Sequence, residues 1–165
     1  MIHAGTHVSF CICLKKWYYN KVMVKDKLVD DYFAKTATHQ QEYGEKTIVL
    51  MQVGAFYEVY GLKDADGNIS GSNIVDFSQL TEIAIVDKKQ CVGKANVMMS
   101  GFRDFMIEKY LKKLQENGYT AVIYDQDTNA PGTTRSLTAV FSPGTYFSNE
   151  STAISNNTLC IWIEK

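Results

Sequence analysis

Residues 47–53 (Thr-Ile-Val-Leu-Met-Gln-Val) are the segment that most constrains the fold of this 165-residue chain. The run is nearly continuous in apolar residues, which is typical of a strand covered on both faces rather than half exposed. No apolar run in the chain approaches the roughly 18 residues that a membrane-spanning helix needs, so no membrane association is expected. We therefore expect residues 47–53 to form a central strand of a sheet.

Two other segments have the periodicity of amphipathic helices. In residues 26–40 four apolar side chains fall on one helical face, and in residues 104–117 apolar side chains recur at i, i+3, i+4 and i+7. Gly118 follows the second segment, at the position where a left-handed glycine commonly ends a helix. Both segments are therefore predicted to be helices.

Further short apolar segments are predicted to be strands, and residues 74–80 fit a helix or a strand equally well. The predicted strands are residues 82–86, 119–124, 137–141 and 159–163. Helices and strands thus alternate along the chain. This alternation predicts an α/β fold, a single compact domain whose mixed sheet of about five or six strands is flanked by helices.

The first 24 residues differ from the remainder. They mix apolar, aromatic and basic residues without clean periodicity, and Met23 lies just before the first helix signal. Residues 1–24 are therefore predicted to be an N-terminal extension that packs poorly, or a start-site artefact. Residues 25–165 are predicted to form the folded domain.

Charge and cysteine content narrow the classes of function. With 17 basic and 18 acidic residues the formal net charge is −1, whereas a protein held on DNA mainly by phosphate neutralisation is expected to be basic. The four cysteines, at positions 11, 13, 91 and 160, have neither the C-x-x-C pairs of a zinc site nor the density of a disulfide scaffold. We expect free thiols in a reducing, intracellular compartment, no metal site and no cofactor.

Residues 54–58 (Gly-Ala-Phe-Tyr-Glu) directly follow the predicted buried strand. They resemble the Gly-x-Phe-Tyr-Glu motif of the N-terminal mismatch-recognition domain of the MutS family, which also follows a buried strand. Later segments resemble further landmarks of that domain, in the same order and at similar spacing, from about residue 27 to residue 164. These segments are Ser78-Gln79-Leu80, residues 83–86, Met98-Met99-Ser100-Gly101, residues 108–114, residues 121–126 and Ser142-Pro143-Gly144-Thr145.

The resemblance implies a MutS domain I-like fold that binds mispaired or unpaired bases in duplex DNA, with Phe56 inserted beside the altered base. A mismatch has lost pairing and stacking energy, so it kinks and unstacks more easily than regular duplex. An aromatic ring that replaces a lost stacking partner contributes about 1–3 kcal/mol of binding free energy per base. Apolar side chains that enter the minor groove as wedges also kink the duplex. Gly54 lets the backbone approach DNA closely.

Glu58 is the second residue of the implied site. It lies two residues after Phe56 on an extended segment, so both side chains point to the same side, whereas Tyr57 alternates away and is expected in the core. A carboxylate is repelled by phosphates. If it hydrogen-bonds a displaced base, as the resemblance implies, this bond adds binding free energy only where the base is accessible. The carboxylate therefore disfavours binding to intact duplex.

Met99 and a basic segment complete the implied interface. The resemblance places Met99 near DNA, although a methionine in this setting is equally typical of a core. Residues 88–94 are predicted to be an exposed basic loop, in which Lys88, Lys89 and Lys94 are solvated or, alternatively, contact phosphates. The implied partners are mismatched or looped double-stranded DNA and either the remaining MutS-type domains or a dimer partner.

The sequence departs from the family pattern at three points. Ala55 stands where the family often has an acidic residue, and Met98 stands where it has proline. No Gly-x-x-x-x-Gly-Lys-Ser/Thr phosphate loop occurs, so these residues supply no P-loop ATP hydrolysis and the chain is not expected to be an enzyme. Family members continue into connector, lever, clamp and ATPase domains, so ATP-driven clamp formation and partner recruitment are not carried over.

Two other classes of function stay open. Asp125 and Asp127, with Asp76 or Glu58, would suit a magnesium site of a nuclease, with a lysine from residues 88–94 as basic partner. The near-neutral charge instead favours a docking or structural module, or the first domain of a larger protein, that does not read DNA by itself.

The extension hypothesis predicts that removing residues 1–22, so that the chain starts at Met23, leaves the fold intact. A segment without periodicity contributes little buried area, so the melting temperature is expected to change by no more than a few degrees. Circular dichroism of the shortened and full chains measures this change. A loss of many degrees would show that the segment belongs to the core.

Overall fold

A computed structural model describes residues 27–127, 134–143, 145 and 162–163. The helices are α1 (Lys27–Tyr43), α2 (Ile74–Thr81) and α3 (Ile107–Glu116), with a 3-10 turn (Asp104–Met106) leading into α3. The strands are β1 (Thr47–Val53), β2 (Phe56–Lys63), β3 (Ile69–Ser70), β4 (Val86–Val92), β5 (Ala95–Arg103), β6 (Thr120–Gln126) and β7 (Arg135–Phe141). In this part of the chain no helix is long and apolar enough to cross a membrane.

The strands form one mixed sheet in the order β4-β5-β2-β1-β6-β7, and the two-residue strand β3 pairs with β2. Strands β1 and β6 are parallel, and the other pairs are antiparallel. The predicted α/β class with a mixed sheet is confirmed. Within the described residues the sheet has seven strands, because β3 adds to the six longer ones, and two residues are too few to leave a periodicity in the sequence.

Helices cover both faces of the sheet, and they explain why the first five residues of β1 are buried. On one face Tyr32 of α1 meets Tyr60 of β2 edge to face, with ring centroids 5.0 Å apart. On the opposite face Phe77 of α2 stacks on Phe102 of β5 at 6.2 Å, and Phe102 also contacts Tyr110 of α3 at 4.5 Å. The prediction that residues 47–53 form a central strand is confirmed.

The two predicted helices are confirmed, as α1 and as the 3-10 turn followed by α3. The ambiguous residues 74–80 are helical and belong to α2. Residues 1–24 lie outside the described residues. So does most of the strand predicted at 159–163, of which only Trp162 and Ile163 are described, both exposed and neither in a strand.

The prediction of a strand at residues 82–86 was wrong, since only Val86 lies in β4. Glu82 adopts a left-handed conformation that ends α2. The next residues then connect the helix to the sheet without a strand partner. The carbonyl of Ile83 accepts a hydrogen bond from the Ser78 hydroxyl at 2.6 Å, so a helix side chain satisfies it. The apolar residues of this connection pack against the core, which is why they resembled a strand.

The prediction of an exposed loop at residues 88–94 was also wrong, because β4 runs through Val92. This strand forms the edge of the sheet, where lysines discourage pairing with other chains, so its polarity concealed it in the sequence. It pairs irregularly with β5, with a register shift between Asp87 and Cys91, and Lys89 has a φ of 57°. Cys91 is an exposed free thiol, and the other three cysteines lie outside the described residues.

Tyr32 gives the fold a dependence on alkaline pH. Burial raises the pKa of Tyr32 from 10.0 to about 12. A raised folded-state pKa means that the stability from the neutral phenol is present below pH 10 and is lost between pH 10 and 12. A pKa difference of about two units between the folded and unfolded states corresponds to about 2–3 kcal/mol of unfolding free energy.

We therefore expect Tyr32→Phe to lose about 2–3 kcal/mol less stability than wild type between pH 10 and pH 12. Below pH 9 the two proteins should differ by about 1 kcal/mol or less, because the Tyr32 hydroxyl bonds the Val49 carbonyl at a long 3.4 Å. Urea unfolding at a series of pH values measures both quantities. Parallel pH profiles for the two proteins would contradict this role of Tyr32.

Candidate nucleic-acid interface

A tight hairpin turn presents Phe56 at one end of the sheet. Strands β1 and β2 are joined by Gly54 and Ala55, and Val53 pairs with Phe56. Gly54 has a φ of 59°, whereas Ala55 has no positive φ. Positive φ at the first turn residue alone is the pattern of a II′ turn, which favours glycine and matches the twist of the strands. Phe56 is therefore the first residue after the turn.

Neighbouring elements fix this turn from both sides. The amide of Gly54 donates to the side-chain oxygen of Gln126 on β6 at 3.1 Å. The carbonyl of Ala55 accepts from the amide of Asp104, at the start of the 3-10 turn, at 3.0 Å. On the far side of β1, the Gln52 side-chain oxygen accepts from the amide of Gln126 at 2.9 Å. The turn is thus tied to β6 on one side and to the 3-10 turn on the other.

Phe56 projects from this turn toward solvent, and 41 % of its surface is exposed. Its cross-strand partner on β5 is Arg103, whose guanidinium carbon lies 5.4 Å from the ring centroid. This is within the range of a cation–π contact. The Phe56 ring therefore contacts the Arg103 guanidinium, while a large part of the ring surface stays accessible to solvent.

Glu58 lies on the same face of β2 but is mostly buried, with 13 % of its side chain exposed. Its Oε2 atom lies 3.0 Å from Nζ of Lys88 and also accepts a hydrogen bond from the Tyr60 hydroxyl. Lys88 in turn lies 2.8 Å from the Tyr60 oxygen and 4.2 Å from its ring centroid. The carboxylate is therefore paired within the protein, and Lys88, 16 % exposed, is not a solvated loop residue.

Gly101 is a part of the site that sequence reasoning missed. It is the cross-strand neighbour of Glu58 on β5. A Cβ at this position would lie 2.6 Å from the Tyr57 carbonyl oxygen, and 3.2 Å and 3.4 Å from Cα and Cγ of Glu58. The absence of a side chain lets β2 and β5 approach beside Glu58. The available signal was a glycine inside a strand, which often marks such an approach.

The other predicted contact residues fall into two groups. Met99 pairs with Tyr60 across β2 and β5 and is partly buried against the core. Lys89 and Lys94 are exposed, but Lys94 follows the turn beyond β4. Strand β5 then runs from that turn back to Arg103, the cross-strand partner of Phe56, so Lys94 lies about 30 Å from Phe56 at a rise of about 3.3 Å per residue. The structure thus brings Lys88, but not Lys94, next to Glu58.

The acidic residues considered for a nuclease site are engaged elsewhere. The Tyr57 hydroxyl donates to Asp125 at 2.6 Å, and burial together with this bond raises the pKa of Tyr57. Asp76 accepts from the Tyr119 hydroxyl at 2.7 Å, and Asp127 from the Ser136 hydroxyl at 2.7 Å. Among the described residues, no three His, Cys, Asp or Glu side chains are grouped to hold a metal ion. The arrangement gives the nuclease hypothesis no support.

The hairpin lies within a segment that matches a known protein family. The sequence model of MutS domain I matches residues 33–150, more than half of the chain, and the match includes the turn with Phe56 and Glu58. The chain belongs to the MutS family, as a domain I. The resemblance drawn from residues 54–58 and the later landmarks is confirmed.

Two relatives show how much of a MutS protein this domain represents. A mutS homolog of Acanthamoeba polyphaga mimivirus, named as a DNA mismatch repair protein, is 30 % identical over 145 residues. The DNA mismatch repair protein MutS of Thermosipho melanesiensis is 31 % identical over 123 residues. These matches cover 86 % and 72 % of this MutS domain I, which spans only 12 % and 13 % of the two relatives.

Gly101→Ala tests whether the close approach of β2 and β5 maintains the site. The added Cβ would overlap the Tyr57 carbonyl, which is backbone and cannot rotate away, so we expect a loss of about 1–3 kcal/mol in unfolding free energy. Asn96→Ala, at an exposed position of the same strand, is the control and should change stability by about 0.5 kcal/mol or less. Urea unfolding measures both, and equal stability of Gly101→Ala and wild type would contradict the steric argument.

Proposed function

We propose that this domain recognises mispaired or unpaired bases in duplex DNA during DNA mismatch repair, with Phe56 as a stacking wedge and Glu58 as a base contact. The observation that carries the proposal is the exposed Phe56 ring directly after a turn fixed by β6 and the 3-10 turn. Membership of the MutS family and relatives named as DNA mismatch repair proteins support it.

A wedge must be rigid, because any freedom of the turn would be lost on insertion and would weaken binding. The hydrogen bonds to Gly54 and Ala55 order this turn before DNA arrives. A stacked aromatic ring contributes about 1–3 kcal/mol at a base that has lost its neighbour. In intact duplex the same insertion requires unstacking of paired bases, so the domain prefers DNA that is already weakened.

The remaining predicted residues take distinct places in the proposed interface. Gly54 brings the turn close to the groove, and Arg103 supplies positive charge beside the ring. Met99 supports Tyr60 from the neighbouring strand, at the edge of the interface. Lys89 and Lys94 are proposed phosphate contacts at the other end of β2, where they would meet a different stretch of the duplex.

The near-neutral charge sets the conditions of binding. A net charge of −1 gives little general attraction to phosphates, so this domain alone is expected to bind weakly and to depend on low salt. Further MutS-type domains or a second subunit would supply the additional grip. The same charge also favours the second candidate, a docking module that reads no DNA by itself, and the experiment below separates the two.

Phe56→Ala is expected to remove most of the preference for mismatched over matched duplex, a loss of about 1–3 kcal/mol if one stacking contact carries it. Fluorescence anisotropy with duplexes that differ by one base pair measures this preference at fixed low salt. Tyr43→Ala is a matched control, because Tyr43 is an aromatic residue with 40 % exposure that lies beyond the opposite end of β1. It should leave the preference unchanged.

The structure also indicates how each contrary result should be interpreted. Phe56 is partly exposed, so its replacement should leave the melting temperature close to that of wild type. Unfolding of Phe56→Ala would assign the ring to the core instead. Equal binding of matched and mismatched duplex by wild type would reject mismatch recognition by this domain and favour the docking module.

A further inference from the structure

Lys88 contacts Glu58 although their strands are not neighbours in the sheet. It is on the edge strand β4, and β5 lies between β4 and β2 in the sheet, so the lysine side chain extends across one strand to meet the carboxylate. The register shift of β4 begins directly before it, at Asp87, whose carboxylate accepts from the Lys89 amide at 2.6 Å. Irregularities of this kind change the direction of side chains, which explains why the Lys88 side chain points toward β2.

Lys88 and Glu58 are largely shielded from water, so the loss of either charge would leave the other without a counterion. Both side chains are more than four-fifths buried, and a buried carboxylate without its partner is strongly disfavoured. The contacts from Lys88 and Tyr60 both go to Oε2 of Glu58. Among the described residues none donates a hydrogen bond to Oε1, so this oxygen keeps its capacity to accept one.

We propose that Lys88 is a positioning residue for Glu58: with Tyr60 it holds the carboxylate by one oxygen and compensates its charge, which leaves the other oxygen to accept a hydrogen bond from a displaced base. This inference rests on the proposed function. It assigns Lys88 a role different from the phosphate contact predicted from the sequence. It also explains how a carboxylate sits in a DNA interface, since the neighbouring ammonium offsets its repulsion from phosphates.

The two roles of Lys88 predict different results when Glu58 is neutralised. If Lys88 acts through Glu58, Lys88→Met lowers the ratio of matched to mismatched Kd about tenfold, the size of one charge-assisted hydrogen bond. In a Glu58→Gln background the same change should then alter this ratio by less than about twofold, because no carboxylate remains to be held. Lys88→Arg keeps the charge and should restore most of the preference.

A phosphate contact behaves differently. Its loss would weaken binding to matched and mismatched duplex alike, lower the salt dependence by about one counterion, and do so whether residue 58 is Glu or Gln. Lys94→Met has the same change of charge at an exposed position remote from Phe56, and it is the control for this behaviour. It should leave the ratio of the two Kd values unchanged.

The experiment is a titration of the full 165-residue chain and these variants with fluorescent matched and single-mismatch duplexes at two salt concentrations. Melting temperatures show that each variant is folded, and Tyr60→Phe provides a second test that keeps the charge. It should reduce the ratio about threefold in the wild-type background and leave it unchanged with Glu58→Gln, since it removes one hydrogen bond to the carboxylate.

Each outcome separates the inference from the proposed function. A wild-type preference that falls in Lys88→Met only when Glu58 is present supports both. A wild-type preference that Lys88→Met reduces equally in both backgrounds, or does not reduce, overturns the positioning role and leaves the proposed function intact. Equal binding of both duplexes by wild type overturns both together.

Discussion

The pairing of β1 on both of its edges is the constraint on which the rest of the structure depends. Strand β1 pairs with β6 in parallel and with β2 in antiparallel orientation, so one buried strand joins the two halves of the sheet. The parallel pairing requires a long connection, and the antiparallel pairing allows a turn of two residues. The short turn therefore projects from a fixed end of the sheet, tied to β6 by the side chains of Gln52 and Gln126.

Strand β2 connects the core to the candidate site. Tyr57 and Val59 are buried on one face of the strand, and the other face carries Phe56, Glu58 and the buried Tyr60 in succession. Alternation along one strand thus places a core contact between each pair of site residues. The Phe56 ring and the Glu58 carboxylate are consequently held two positions apart on one face of the strand.

Electrostatics at the site is local rather than global. The whole chain is nearly neutral, yet a cation accompanies each of the two proposed contact residues, Arg103 at the ring and Lys88 at the carboxylate. This arrangement suits the proposed recognition of a local defect, because strong general attraction to phosphates would favour intact duplex as much as a mismatch. The domain spans about an eighth of the length of its relatives.

The sequence by itself determined the class of fold, the central strand, both long helices and the placement of Phe56 and Glu58 on one face of a strand. These features are local, since burial on both faces, helical periodicity and alternation along a strand each leave a pattern within a few residues. It failed at β4 and at residues 82–86. An edge strand has the polarity of a loop, and an apolar connection packed on the core has the pattern of a strand.

Only the tertiary structure decided how the carboxylate is paired. Lys88 and Glu58 are separated by 30 positions, and β5 lies between their strands in the sheet. Their contact depends on the order of the strands, on the irregularity beside Asp87 and on the missing side chain at Gly101, none of which has a periodic signature. Secondary structure follows from neighbours in sequence, whereas the charge state and orientation of a site follow from neighbours in space.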